Sequence, residues 1–223
     1  MTMRRRTVVG ASGASIAGLG MFQKLLGRQA TPEVDPAATA MVQQPTGVLT
    51  LNHDLAHSWV GFTAQHMIVG RVRGRFNNYQ AEIIFDQDAP ENSSVTASID
   101  ATSLDTGEGD RDAHLMSPDF LEVETYPEIT FTSTGVSATS DTGMTVTGDL
   151  TIKETTQSVD LDVTYNGWSY DAEMTGHNYG WVASTTISLS SFGVDWNQPI
   201  ASGGFMIGDE LLIEIFMEAH PAE

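Results

Sequence analysis

"VTGDLTIKETTQSVDLDV", residues 146–163, decides the fold class by its period. Val146, Gly148, Leu150 and Ile152 alternate with Thr147, Asp149 and Thr151, and Val159, Leu161 and Val163 then alternate with Asp160 and Asp162. An apolar residue at every second position marks a strand with one buried face, because successive strand side chains point to opposite sides. Outward from this stretch the same period recurs in Val60, Phe62 and Ala64, then in Ala81, Ile83 and Phe85, and in Val95, Ala97, Ile99 and Ala101. Ile129 and Phe131, then Trp181, Ala183, Thr185, Ile187 and Leu189, then Leu211, Ile213, Ile215 and Met217 complete the series. Together these sets predict an all-β protein of eight strands, which closes most simply as an antiparallel barrel with room for one small ligand. A two-sheet sandwich explains the alternation equally well.

Two segments break the rhythm. "GDRDAHLMSPDFLEVETYP" (109–127) predicts a short helix starting at Asp110 or Asp112. Ser117 followed by Pro118 predicts a second start, with Phe120 and Leu121 buried, so that these helices would close one barrel end. "SFGVDWNQPIASGGFMIGDE" (191–210) reads as a long glycine-rich connection, either a flap or an ordinary loop.

Charge narrows the function. The chain of 223 residues has 29 acidic and 10 basic residues, a formal charge of −19. Five of the basic residues precede Thr31, in a stretch without acids, so the remainder carries −24. With no basic stripe to neutralise phosphates, such a surface excludes nucleic acid as a partner. A dense carboxylate surface suits concentrated salt, which points to a halophilic source. The absence of cysteine excludes disulfides, a thiol nucleophile and lipoprotein-type lipid attachment.

Arg4 to Arg6 precede a mildly apolar run from Thr7 to Phe22 that is too short to span a membrane. The segment resembles a twin-arginine export signal, which implies the export machinery as a partner and an extracellular or cell-surface location. An uncleaved anchor or a basic tail is the alternative. Residues 1–30 are thus expected to be the signal and 31–46, with Pro32, Pro36 and Pro45, a linker. Cleavage after residue 40, following Ala38-Thr39-Ala40, fits the small-x-small rule better than cleavage after Ala30. The barrel domain is then 47–223.

"RVRGRF" (71–76) gathers three of the five remaining cations. Arg71, Arg73 and Arg75 share one face of an extended strand while Val72, Gly74 and Phe76 share the other. The inward set is even-numbered here but odd-numbered from Tyr79 onward, so a bulge or kink is expected at Asn77-Asn78. With Phe76 inward the arginines point out, as a strip balancing nearby carboxylates. Arg73 remains the candidate for the barrel mouth.

"AHSWVGFTAQHM", "VRGRFNNYQAEIIFD", "SIDATSLDTGEGDRDAHLMSPDFLEVETYPEITFTST", "VTGDLTIKETTQSVDLDV" and "FGVDWN…GDELLIEI" together resemble the YceI family of secreted and periplasmic proteins, from about Gly47 to Ala219. The resemblance implies a lipocalin-like barrel with one or two short helices, whose interior holds a polyisoprenoid or similar long-chain lipid, with no established catalytic residues and no cofactor. Trp59, where a small polar residue is usual, and residues 168–179 depart from the family pattern.

An isoprenoid tail offers only hydrocarbon, so its site must be a dry, elongated cavity. Phe62, Ala64, Ile83, Phe85, Ile99, Phe131, Leu150, Leu161 and Ile187, with Val146, Val163 and Ile213, are the expected lining; the same side chains could equally pack a solid core. The small residues Ala64, Ala81, Ala97, Ala101, Gly148 and Ala183 favour a cavity. His66 and His114 are expected at the rim, bonded to backbone or a ligand headgroup. No histidine pair has metal-ligand spacing, and "DTGEGDRD" lacks the pattern of a calcium loop, so no metal site is expected. Ser184, Ser190 and Ser191 lack the setting of a nucleophile elbow. Three functions stay open: a lipid carrier or sequestering protein, an enzyme using Asp112, His66 and His114 on a bound isoprenoid, and a surface or stress-response module with a filled barrel. The oligomeric state is open, a homodimer included.

Overall fold

β-Branched and aromatic residues at alternate positions build eleven strands among residues 44–172 and 176–222, which the computed structural model describes. The expected export signal, its cleavage point and most of the linker lie outside these residues. The strands are β1 (Val48–His53), β2 (Trp59–His66), β3 (Gly70–Phe76), β4 (Tyr79–Asp86), β5 (Ser94–Asp100), β6 (Leu104–Asp105), β7 (Glu128–Ala138), β8 (Gly143–Ile152), β9 (Thr155–Asp171), β10 (Gly176–Ser188) and β11 (Ile207–Pro221). No helix among the described residues is long and apolar enough to cross a membrane.

All pairings are antiparallel, and eight strands close a ring in the order β1-β4-β5-β7-β8-β9-β10-β11. The expected eight-stranded barrel is therefore present, and not a sandwich. Its membership differs in one place, because β11 forks. Residues Ala219 to Pro221 pair with β1 and close the ring, whereas Ile207 to Phe216 pair with β2, which carries β3 and β6 beyond it.

Irregularities at several points adjust the pleat, the β11–β2 register shift between Ile207 and Leu211 among them. The chain leaves the sheet at Asn77-Asn78, where Phe76 and Tyr79 both face inward, as the phase change in the sequence requires. The β7–β8 register shifts between Ser133 and Gly135, so that Val136 turns inward after the odd-numbered Ile129 and Phe131. The β9–β10 register shifts at Gly180/Trp181. An extra residue on one strand bends it and re-aims its side chains.

Among the described residues one α-helix forms, α1 (Gly109–Met116). Its N-cap is Glu108, whose carboxylate accepts from the N–H groups of Asp110 (3.4 Å) and Arg111 (2.8 Å), rather than the expected Asp110 or Asp112. The second helix does not form. Ser117 ends α1 instead, its N–H and hydroxyl both donating to the His114 carbonyl (3.1 and 2.8 Å), and turns follow it. Phe120 is buried as expected. "DTGEGDRD" is a turn and a cap: Asp105 accepts from the Gly107 N–H at 2.8 Å before Glu108 caps the helix.

Two glycines lie beneath rings on the neighbouring strand. A Cβ at Gly148 would meet the Phe131 ring at 2.3 Å, and one at Gly74 the Phe62 ring at 2.3 Å. Gly148→Val is expected to cost about 1–3 kcal/mol by overpacking. Thermal or denaturant melts check this; an unchanged midpoint would mean that Phe131 can move aside without cost.

Candidate ligand cavity

The pleat sends alternate residues of each strand into one internal space. Phe62, Ala64, Ile83, Phe85, Ile99, Phe131, Leu150, Leu161 and Ile187 enclose it together with Val146, Val163 and Ile213. The cavity measures about 410 Å³, within the range that accommodates a small organic ligand. Ala64, Ala81, Ala97 and Ala183 line it, leaving room that larger side chains would fill. Ala101 and Gly148, also expected to face inward, are buried but lie outside the lining.

The lining is almost entirely hydrocarbon, interrupted by the Thr185 side chain of β10, with the other polar side chains toward its ends. Ser93 and Ser94 stand at one end, where Ser94 pairs with Ile84. Gln65, His66, Arg111 and His114 stand at the other, where His66 pairs with Ile207 and α1 and the 117–127 turns sit. His114 is held rigidly: its ring is edge-on to Phe120 (5.1 Å) and Trp196 (4.7 Å), and its Nε2 lies 2.9 Å from the Asp119 carboxylate. Asp112 does not face the cavity, since its carboxylate accepts from the Thr106 N–H at 2.9 Å and from the Thr106 hydroxyl.

Arg73 stands apart as well. It pairs with Thr63 and points outward, exposed, as do Arg71 and Arg75. Arg75 lies over the Trp59 ring (5.4 Å) and 3.8 Å from Asp105, so the arginine cluster is an external strip and not a mouth clamp. The cation that does line the cavity is Arg111. Its guanidinium donates to the Thr106 hydroxyl (2.7 Å) and carbonyl (2.9 Å), which fixes it at the cavity wall. The sequence signal was thin: one arginine among the acids of the segment interrupting the strands.

Burial pushes the Tyr165 hydroxyl up to about 12 and raises those of Tyr79 and Tyr179. These phenols stay neutral at any physiological pH, so they add no charge to the barrel interior.

Outside the cavity, Asp54, His57 and Glu218 bring one potential metal-ligand atom each within 4.8 Å of one another. Asp54 is already engaged: it accepts from the Ala56 N–H (2.8 Å) and lies 2.8 Å from His57 Nδ1. The hydrogen bond to Asp54 raises His57 above 6.5, and that to His57 lowers Asp54 below 3.8. The raised histidine contributes stability that is complete below 6.5 and lost as pH climbs through its folded value. The lowered aspartate contributes stability present above 3.8 and lost as pH falls through its own folded value. The pair is therefore strongest between 3.8 and 6.5. Asp54→Asn is expected to bring the NMR titration midpoint of His57 down toward 6.5; a midpoint that does not move would exclude the pairing.

Residues 51–219 match the YceI-like domain. A UPF0312 protein of Staphylococcus epidermidis is 32% identical over 167 residues, covering 75% of this chain and 95% of its own length. This chain belongs to the YceI-like family. A UPF0312 protein of Pseudomonas savastanoi pv. phaseolicola is 34% identical over 138 residues, 62% of this chain and 71% of the relative. Among solved structures, Burkholderia cenocepacia BcnA superposes with a TM-score of 0.65 at 25% identity, covering 74% of this chain and 98% of BcnA. The Campylobacter jejuni YceI protein gives 0.62 at 27% identity, covering 71% and 90%. A polyisoprenoid binding domain from Saccharophagus degradans shares the YceI-like fold at 14% identity, with a TM-score of 0.54 over 78% of this chain and 99% of that domain.

Proposed function

We propose that this YceI-like protein binds a long-chain isoprenoid or similar lipid inside its barrel and carries or sequesters it after export. The observation that carries this reading is a cavity with almost wholly hydrocarbon walls, whose polar side chains other than Thr185 gather toward its ends. Such walls offer a ligand no hydrogen bonds along most of its length. They gain instead from removing methylene groups from water, about 0.8 kcal/mol each. About ten buried methylenes supply roughly 8 kcal/mol before the costs of ordering ligand and protein. The polyisoprenoid binding domain of like fold adds a ligand class of matching shape. A filled-barrel module would need a solid core, and the alanines at the cavity wall leave space instead. The twin-arginine-like N-terminus supports the export part of this reading, and the −24 charge after it suits a salt-rich exterior.

Trp181 and Trp196 line the cavity, so intrinsic fluorescence reports its occupancy. Titration with solanesol delivered from solvent is expected to change the emission saturably; a linear, non-saturating response would contradict the reading. Arg111, beside His66 and His114, is assigned to the ligand's polar head. Arg111→Gln is expected to weaken an isoprenyl phosphate about tenfold, because charge-assisted hydrogen bonds are the strong ones, and to leave the alcohol little changed. Equal losses for both ligands would remove Arg111 from headgroup recognition.

A further inference from the structure

Two loop tips meet at the Arg111 and His114 end of the barrel and carry apolar side chains into solvent. In the β2–β3 turn, Met67, Ile68 and Val69 are 39, 61 and 93% exposed. Met67 and Ile68 adopt φ of 49° and 70°, a left-handed turn conformation that asparagine and glycine enter most easily. A β-branched isoleucine there is strained, so the backbone favours a polar residue or glycine where the chain has an apolar triplet. Facing it, Phe205 is 60% exposed at the tip of the connection into β11.

The two tips form one surface. The Met67 N–H donates to the Met206 carbonyl at 2.8 Å, and a Cβ on Gly204 would lie 3.2 Å from the Ile68 side chain. Neither residues 67–70 nor residues 196–208 contain an Asp, Glu, Lys or Arg, in a chain that carries −24 from Thr31 onward. The patch also leads inward: Ile68 and Phe205 line a recess that shares Phe120, Trp196 and Ile207 with the main cavity.

We infer that this patch docks on the surface of a lipid bilayer, its tips among headgroups and outer acyl chains, so that a lipid moves between bilayer and barrel without crossing water. The inference rests on the lipid-binding reading. A bilayer fits better than a protein partner, because the tips themselves are uncharged and apolar and border a recess that shares Phe120, Trp196 and Ile207 with the cavity, although Asp195 and Asp209 also line that recess. Electrostatics fixes which bilayer. The acidic body repels anionic headgroups, so docking on phosphatidylcholine vesicles is expected at any ionic strength. Docking on anionic vesicles is expected only when salt shortens screening to about 3 Å, near 1 M.

The test uses the full chain, so any contribution of residues 1–43 is common to parent and variants. Vesicle flotation is compared for the parent, Val69→Asp and Met67→Asn, the last chosen because asparagine suits the left-handed backbone. Both variants are expected to lose vesicle association at least tenfold and to take up solanesol from vesicles correspondingly more slowly, while solvent-delivered solanesol loads all three equally. Association that is absent in the parent, or equal in all three, overturns docking and leaves the lipid-binding reading standing. Failure of the parent to load solvent-delivered solanesol overturns that reading and the docking that rests on it. A parent that dimerises without vesicles, with Val69→Asp monomeric and vesicle association unchanged, assigns the patch to a second copy and overturns docking.

Discussion

Leu150→Glu is expected to abolish isoprenoid loading while the barrel still closes. Leu150 is buried on β8, opposite Phe131 of β7, and its side chain lines the cavity along its hydrocarbon length. A carboxylate there lacks both a cation and water, since the guanidinium of Arg111, the lining cation, is already engaged by the Thr106 hydroxyl and carbonyl. An unpaired charge in an apolar environment costs several kcal/mol, and the group escapes part of that cost by drawing water into the cavity or by taking up a proton. Either outcome opposes a hydrocarbon ligand, so affinity should fall more than a hundredfold, with partial recovery as pH drops and the carboxyl becomes neutral. Phe62→Arg makes the same test from β2. Because the buried charge also lowers stability, loading is compared on protein whose far-UV circular dichroism matches the parent's. Equal loading by a folded variant would place the ligand elsewhere.

The second large effect concerns stability. Phe192 is 2% exposed, belongs to the buried core and is not part of the cavity wall. It sits in the short turn after β10, where Gly193 adopts φ of 71° and the Phe192 N–H donates to the Leu189 carbonyl at 3.0 Å. Packed on all sides, it should cost about 3–5 kcal/mol when replaced by alanine, the transfer loss plus a new void. Trp181→Ala gives the contrast. Trp181 packs against Phe85 (5.3 Å) and Tyr165 (5.5 Å), yet it also faces the cavity, so its removal enlarges an existing space. Its cost should fall at or below the lower end of that range despite the larger side chain. Denaturant midpoints for the two variants check the order; a larger loss for Trp181→Ala would mean that the cavity is smaller or better filled than its walls indicate.

The barrel was legible because its strands keep a period of two over long runs, most plainly in β8 and β10. The phase change between Phe76 and Tyr79 was legible for the same reason, since two incompatible parities cannot share an unbroken strand. β1 escaped notice because VLTLNH offers only Leu49 and Leu51 as an alternating pair. The fork of β11 could not be read at all: which neighbour a strand pairs with is a property of closure, and β11 alternates alike beside β2 and beside β1. The register shift near Thr134 carries no signature in Ser133-Thr134-Gly135 beyond an ordinary glycine.

At the site, the apolar wall was legible and the polar end was not. Alternation alone places Phe62, Ile83 or Leu161 inward, whereas His114 and Arg111 reach the cavity through a helix whose position depends on tertiary packing. Arg73 and Arg111 show the difference. The first drew attention by clustering and points outward by parity; the second, isolated among acids, reaches the wall because Glu108 starts α1 at Gly109 and Thr106 holds its guanidinium.

The most direct measurement is organic extraction of the full-length protein purified from its own host, followed by mass spectrometry of the extract. The hydrocarbon-walled barrel predicts a co-purified long-chain lipid, near one molecule per chain, that disappears from the extract of Leu150→Glu. An extract containing no lipid, or the same lipid at the same yield from Leu150→Glu, would contradict it.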